Sequence, residues 1–113
     1  MRQFFVIFTM LFIQFDLYGA NHSVKMLNQG SSGVMVFEPA YLKINIGDSV
    51  TFESTDAAHN SASIPGMIPS LASSWNGGLS QNITVMFDVA GIYGYQCTPH
   101  SMMAMVGLSL IHI

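Results

Sequence analysis

The sequence has few charged side chains and a single cysteine. Asp, Glu, Lys and Arg make up 8% of its 113 residues, against about a quarter in an ordinary globular protein. This scarcity excludes a coiled coil, a charged disordered chain and a nucleic-acid-binding domain built on a basic face. One cysteine also excludes an internal disulfide, so Cys97 is either a buried core residue or a functional thiol.

What the sequence does contain is an unusual set of potential metal ligands. It has nine methionines and four histidines besides the one thiol, and its net charge is −3. Thioether, thiolate and imidazole groups are the ligands that copper and other soft metals prefer. The length leaves room for one domain, so these groups belong to a single fold. Composition alone does not show that they lie close together in it.

Residues 1–20 have the layout of a secretory signal peptide. Arg2 gives a positive start, residues 4–13 are apolar except for one threonine, and Gly19-Ala20 offers small residues for cleavage. The apolar run is too short to span a bilayer comfortably. We therefore expect cleavage after Ala20, export to a bacterial periplasm and no stable membrane insertion of the mature protein.

The last six residues, 108–113, have an unusual sequence. Leu-Ser-Leu-Ile-His-Ile matches the translated end of a transposase-based sequencing adapter. We expect a non-native tail here, which would limit the native domain to residues 21–107, and we assign no function to His112. The alternative is a genuine last strand, since an apolar hexapeptide also fits that pattern.

Between these ends the dominant period is two. Apolar and polar residues alternate in residues 42–46, for example, and Ile83, Val85 and Phe87 stand at every second position. Gly, Pro, Asn and Asp separate these segments. No segment carries a helical stripe, so the sequence predicts an all-β, two-sheet sandwich. Residues 54–80 are too long for a hairpin turn, which favours a functional loop, and we expect Trp75 to plug the end of the core.

One short segment carries most of the functional information. Cys97, His100 and Met105 follow a predicted strand with the spacing Cys-x2-His-x4-Met, and His59 lies 38 positions before Cys97. Two imidazoles, a thiolate and a weak thioether form the ligand set of a type-1 copper site. The sequence therefore predicts that this loop and the loop of His59 fold around one metal ion.

Two alternatives remain open on the residues alone. A solitary cysteine at a strand end is commonly a small buried core residue, and a solitary histidine is commonly structural. Met102 and Met103 are also soft donors close to Met105, so the axial ligand is the least secure assignment. If they are not ligands, these two methionines form either an exposed apolar patch around His100 or core packing.

Several further segments stand in the order and spacing of a known family. They are Val24-Lys25-Met26-Leu27-Asn28, Met35-Val36-Phe37-Glu38-Pro39-Ala40-Tyr41, His59-Asn60, Gly66-Met67-Ile68-Pro69 and Cys97-Thr98-Pro99-His100. With these the sequence resembles the small blue copper proteins, the cupredoxins, and among them the pseudoazurins. The resemblance implies a Greek-key β-sandwich of cupredoxin type and one copper ion held by His59, Cys97, His100 and Met105. It also implies that Asn60 links the two ligand loops.

The function implied by the resemblance is electron transfer without catalysis. The protein would be a monomer that carries single electrons between periplasmic redox proteins, with a copper nitrite reductase as the leading partner. A multicopper enzyme needs a second copper site, and in residues 21–107 only His22 is left to supply one. The alternative function is a periplasmic copper chaperone or buffer, which the methionine-rich loop suggests.

Two departures from the family pattern modify these expectations. Pseudoazurins surround their apolar face with lysines, whereas only Lys25 and Lys43 stand in residues 21–107. We therefore expect His100 to present its ring edge within an apolar patch, and docking to be mainly apolar or of a different charge pattern. The family also has two helices after the last strand, and residues 1–113 contain no counterpart of them.

Overall fold

Two four-stranded sheets pack against each other in the computed structural model, which describes residues 19–112. The strands in chain order are β1 Asn21–Gly30, β2 Gly33–Glu38, β3 Tyr41–Asn45, β4 Ser49–Glu53, β5 Ala62–Ser63, β6 Ile83–Met86, β7 Gly91–Gln96 and β8 Val106–His112. A short 3-10 helix, Thr98–Met103, connects β7 to β8. Within residues 19–112, no helix has the length and apolarity needed to cross a membrane.

The sheets are mixed, and the chain passes repeatedly from one to the other. The first has the order β2-β1-β4-β6 and the second β3-β8-β7-β5. The β1–β4 pair in the first sheet and the β3–β8 pair in the second are parallel, and the other pairs are antiparallel. This arrangement confirms the prediction of an all-β cupredoxin-type sandwich.

Alternation along each strand places one set of side chains in the core. Val50 and Phe52 of β4 are fully buried, for example, while their neighbours are partly exposed. At the centre, Tyr95 makes edge-to-face contacts with Phe37 and Phe52, each with ring centroids 4.9 Å apart. Such aromatic pairs add about 1 kcal/mol beyond the area that they bury, so this cluster ties the two sheets together.

The long segment 54–80 is ordered against the core by its own short strand and by Trp75. The strand, β5, pairs with β7 at the edge of the second sheet. Trp75 is buried as predicted, its ring stacks on Phe52 with centroids 6.1 Å apart, and its indole N–H donates to Ser61 Oγ at 3.0 Å. The segment therefore contributes a core residue and is not a free loop.

The predicted domain boundaries lie after Ala20 and after Gly107. Most of the predicted signal peptide, residues 1–18, lies outside the described residues. The predicted boundary after Gly107 falls inside β8, where residues 108–112 pair with β3 on one side and residues 108–111 pair with β7 on the other. The hexapeptide thus has the place of a strand, with Ile111 in the core, while its non-native origin stays a prediction.

Candidate metal centre

The four predicted ligands come from segments that meet at one end of the sandwich. Cys97 follows β7 directly, His100 lies in the 3-10 helix, and Met105 precedes β8. The antiparallel pairing of β7 and β8 closes this loop, because the Cys97 N–H donates to the Met105 carbonyl at 3.0 Å. The Met105 N–H donates to the His100 carbonyl at 3.3 Å. His59 reaches the same place from the segment after β4.

Three donor atoms converge at this end. The Nδ1 atoms of His59 and His100 are 3.2 Å apart, and Cys97 Sγ lies 3.7 Å from the first and 3.3 Å from the second. His59 and Cys97 are fully buried, whereas His100 is half-buried. Among residues 19–112 these three form the one cluster of three or more His, Cys, Asp or Glu side chains placed to hold a metal ion.

The fold distinguishes the three methionines that the sequence offers as the thioether ligand. Met105 is fully buried, and its backbone forms hydrogen bonds with the backbones of Cys97 and His100. Met102 is 100% exposed and Met103 is 53% exposed. Burial beside the donor cluster therefore favours Met105 as the thioether ligand, and exposure favours the surface-patch interpretation of the other two.

The buried imidazole of His59 is held in the form that a metal ligand needs. Its Nε2 lies 2.7 Å from the Asn28 side-chain oxygen, which accepts the ring proton and leaves the Nδ1 lone pair facing the cluster. Burial lowers the pKa of His59, the nearby His100 lowers it further, and Asp56 opposes the shift. The neutral ring is thus favoured, and neutral imidazole is the metal-binding form.

Asn60 links the two ligand-bearing segments, as the resemblance implied. Its side-chain oxygen accepts the Thr98 N–H at 2.7 Å, and its amide group donates to Thr98 Oγ1 at 3.2 Å and to the Gly77 carbonyl at 3.1 Å. Thr98 directly follows Cys97, and Asn60 directly follows His59. These bonds fix the two segments relative to each other and limit how far the donor atoms move.

The segment that carries His100 has no charged side chain. Residues 98–105 contain no Asp, Glu, Lys or Arg, and they include the exposed Met102 and Met103. Of the two lysines in residues 21–107, Lys25 stands opposite Glu38 in the register with one neighbouring strand and opposite Glu53 in the register with the other. Two lysines are too few to form a basic ring around the site.

Sequence reasoning assigned no role to Asn28. The residue stands in a segment that contributed to the family resemblance, but it lies 31 positions from His59, and only the fold shows their contact. Met35 is partly buried against the hydrophobic core.

The comparisons with known proteins agree with this geometry. A family model for copper-binding proteins of the plastocyanin/azurin family matches residues 24–112. The pseudoazurin of Methylorubrum extorquens is 45% identical over 89 residues, which cover 79% of this chain and 60% of that protein. The chain spans about three fifths of the length of the curated pseudoazurins that it matches.

Solved structures with the same fold include two pseudoazurins. That from Methylobacterium extorquens AM1 has a TM-score of 0.79 and 44% identity, covering 80% of this chain and 74% of the other. That from Sinorhizobium meliloti has a TM-score of 0.82 and 41% identity, covering 84% of this chain and 76% of the other.

Proposed function

The chain belongs to the plastocyanin/azurin family of copper-binding proteins, and from this premise we propose that it is a single-electron carrier. Its centre would be one type-1 copper ion bound by His59, Cys97, His100 and Met105. The protein would pass electrons between redox partners and would not itself catalyse a reaction.

The observation that carries this proposal is the convergence of two imidazole nitrogens and one thiol sulfur at the end of the sandwich, all within 4.8 Å of one another. Two histidines and a cysteine with a weak methionine are the donors of type-1 copper sites. The residues present therefore fit the ion. A bound copper ion would supply the one-electron redox couple between Cu(I) and Cu(II).

The protein holds these donor atoms in fixed positions and shields them from water. His59, Cys97 and Met105 are fully buried, and the hydrogen bonds of Asn28 and Asn60 restrain the segments that carry them. Restraint of donors by their neighbours is how a protein fixes the geometry and properties of a metal site. A site that changes little between oxidation states suits a carrier.

The half-buried His100 is the ligand that reaches the surface. Because Met102 and Met103 are exposed beside it, a partner that docks there would contact apolar side chains and approach the centre through the imidazole edge. With no charged residue in 98–105, the association rate should depend only weakly on ionic strength.

We propose the bacterial periplasm as the location and other exported redox proteins as partners. The signal-peptide pattern of residues 1–20 supports the location. The resemblance to pseudoazurins supports a copper nitrite reductase as one partner. The presence of only two lysines in residues 21–107 argues against a docking mode based on lysines, and we expect the carrier to act as a monomer.

The second candidate, a copper chaperone or buffer, is favoured by one observation. The thioethers of Met102 and Met103 are exposed and accessible to Cu(I) from outside the protein. Such a function predicts rapid transfer of metal, whereas the buried positions of Cys97 and Met105 predict retention of metal during electron transfer.

A potentiometric titration of the copper-loaded protein, combined with competition by a Cu(I) chelator, separates the two functions. An electron carrier gives a reversible Nernst response with one electron and keeps its copper in both oxidation states. Loss of copper to the chelator on reduction, without a reversible couple, would contradict electron carriage and support the chaperone. Met102→Leu is the matched variant, because it removes an exposed thioether and leaves the proposed ligands intact.

A further inference from the structure

Asp56 lies where β1 runs past the end of its partner strand. The parallel pairing of β1 with β4 ends at Lys25 and Glu53. Beyond that point the Asp56 N–H donates to the Met26 carbonyl at 3.1 Å, and the Asp56 carboxylate accepts the Asn28 N–H at 2.7 Å. A single residue thus takes over both backbone contacts that β1 offers on this side.

The opposite side of Asn28 is also irregular. The antiparallel register between β1 and β2 omits the pair Asn28 and Met35, and Met35 has a φ of 51°. That value lies in the left-handed region, which is uncommon for a residue with a side chain. The Asn28 backbone is therefore secured by the Asp56 carboxylate and not by a regular pair on either neighbouring strand.

The side chain of Asn28 continues the same line of contacts to the metal centre. Its oxygen lies 2.7 Å from His59 Nε2. The negative charge of Asp56 also acts on this imidazole, because it raises the pKa of His59 against the larger effect of burial. Asp56 is thus connected to the ligand ring both by hydrogen bonds and by charge.

We propose that Asp56 is a positioning residue, whose carboxylate fixes Asn28 so that Asn28 holds the His59 ring proton on Nε2 and directs Nδ1 toward Cys97 and His100. The consequence for metal binding depends on the proposed ligand role of His59. The positioning itself is a property of the metal-free protein and is tested there.

Glu38 provides a matched control. Its carboxylate also accepts a backbone N–H close to β1, that of Ser31 at 2.8 Å, in the turn between β1 and β2. No hydrogen bond joins Glu38 to Asn28 or His59. Removing either carboxylate leaves one backbone N–H without its charged acceptor, but only Asp56 is connected to the imidazole.

The experiment measures exchange of the His59 Nε2 proton with water by nitrogen-15 NMR of the metal-free purified protein. Loss of one hydrogen bond to a charged acceptor, transmitted through Asn28, should make exchange in Asp56→Ala about tenfold faster. Asp56→Asn keeps an acceptor and should stay within about twofold of the wild type, as should Glu38→Ala. If Asp56→Ala also stays within twofold, or if Glu38→Ala accelerates exchange equally, the proposal is overturned.

Asp56→Glu covers the case in which Asp56→Ala does not fold. It keeps the negative charge but moves the carboxylate by one methylene group, so faster exchange would show that placement of the acceptor matters. Unchanged exchange in Asp56→Glu would overturn the proposal. Because no copper is present in these measurements, a failure here is distinguishable from a failure of copper binding.

Discussion

Replacing Asn60 with alanine removes three hydrogen bonds. Two of them join the segments that carry His59 and Cys97, and the third reaches the Gly77 carbonyl. The bonds are 2.7, 3.1 and 3.2 Å long, and Asn60 is buried. Each such bond contributes about 1 kcal/mol to stability, which gives an upper figure of about 3 kcal/mol. Thr98 is exposed and its freed groups can bond to water, so we expect a net loss of about 2 kcal/mol.

The assay is urea unfolding of the metal-free protein, followed by the fluorescence of Trp75. With a slope of about 2 kcal/mol per molar urea, the midpoint should fall by about 1 M. The control is Asn45→Ala, an exposed position on β3, which should change stability by less than about 0.5 kcal/mol. A loss in Asn60→Ala no greater than that of the control would refute the view that Asn60 ties the two segments together.

Three further predictions concern the axial ligand, an acidic residue and a close contact. Met105→Gln should retain copper and lower the reduction potential measured by voltammetry, since the axial ligand tunes the potential of such sites, whereas an unchanged potential would remove Met105 from that role. The hydrogen bonds from His22 and from the Asn45 N–H lower the pKa of Asp48. The stabilisation from this carboxylate is therefore present above the unfolded-state pKa and is lost as the pH falls through the folded-state value. Asp48→Asn should therefore weaken the fall in the free energy of unfolding below about pH 4, and an identical pH dependence would contradict this. A Cβ at Gly107 would overlap the Tyr95 ring, so Gly107→Ala should cost about 1–3 kcal/mol in urea unfolding, and an unchanged midpoint would show that the contact relaxes freely.

The strands were predictable from sequence wherever one face of the strand is buried. Alternation in residues 42–46 and 83–87 corresponds to β3 and to β6 with the residue that follows it. The two-residue β5 was not predictable, because Ala62 and Ser63 stand in a Ser-rich segment without alternation. The parallel pairing of β1 with β4 was also beyond local pattern, since it joins residues 28 positions apart.

At the metal centre, spacing and the family resemblance predicted the candidate ligands but not the residues that contact them. Cys97, His100 and Met105 are close in sequence, so their types and intervals could be recognised directly. Asn28 and Asp56 act through contacts between distant segments, and Asn and Asp are common turn residues with no distinguishing local pattern. Only the folded structure shows that the Asn28 side chain contacts His59 and that the Asp56 carboxylate contacts the Asn28 backbone.

The proposed electron-carrier function requires a copper ion bound to the Cys97 thiolate. We would titrate the purified protein with Cu(II), follow visible absorption and EPR, and treat Cys97→Ser in the same way. We expect an intense thiolate-to-copper band that saturates at one equivalent, with the narrow hyperfine splitting of a type-1 site, and we expect Cys97→Ser to lose this band. A folded protein that gives no such band, or a band that persists in Cys97→Ser, would contradict the proposed centre and with it the function as an electron carrier.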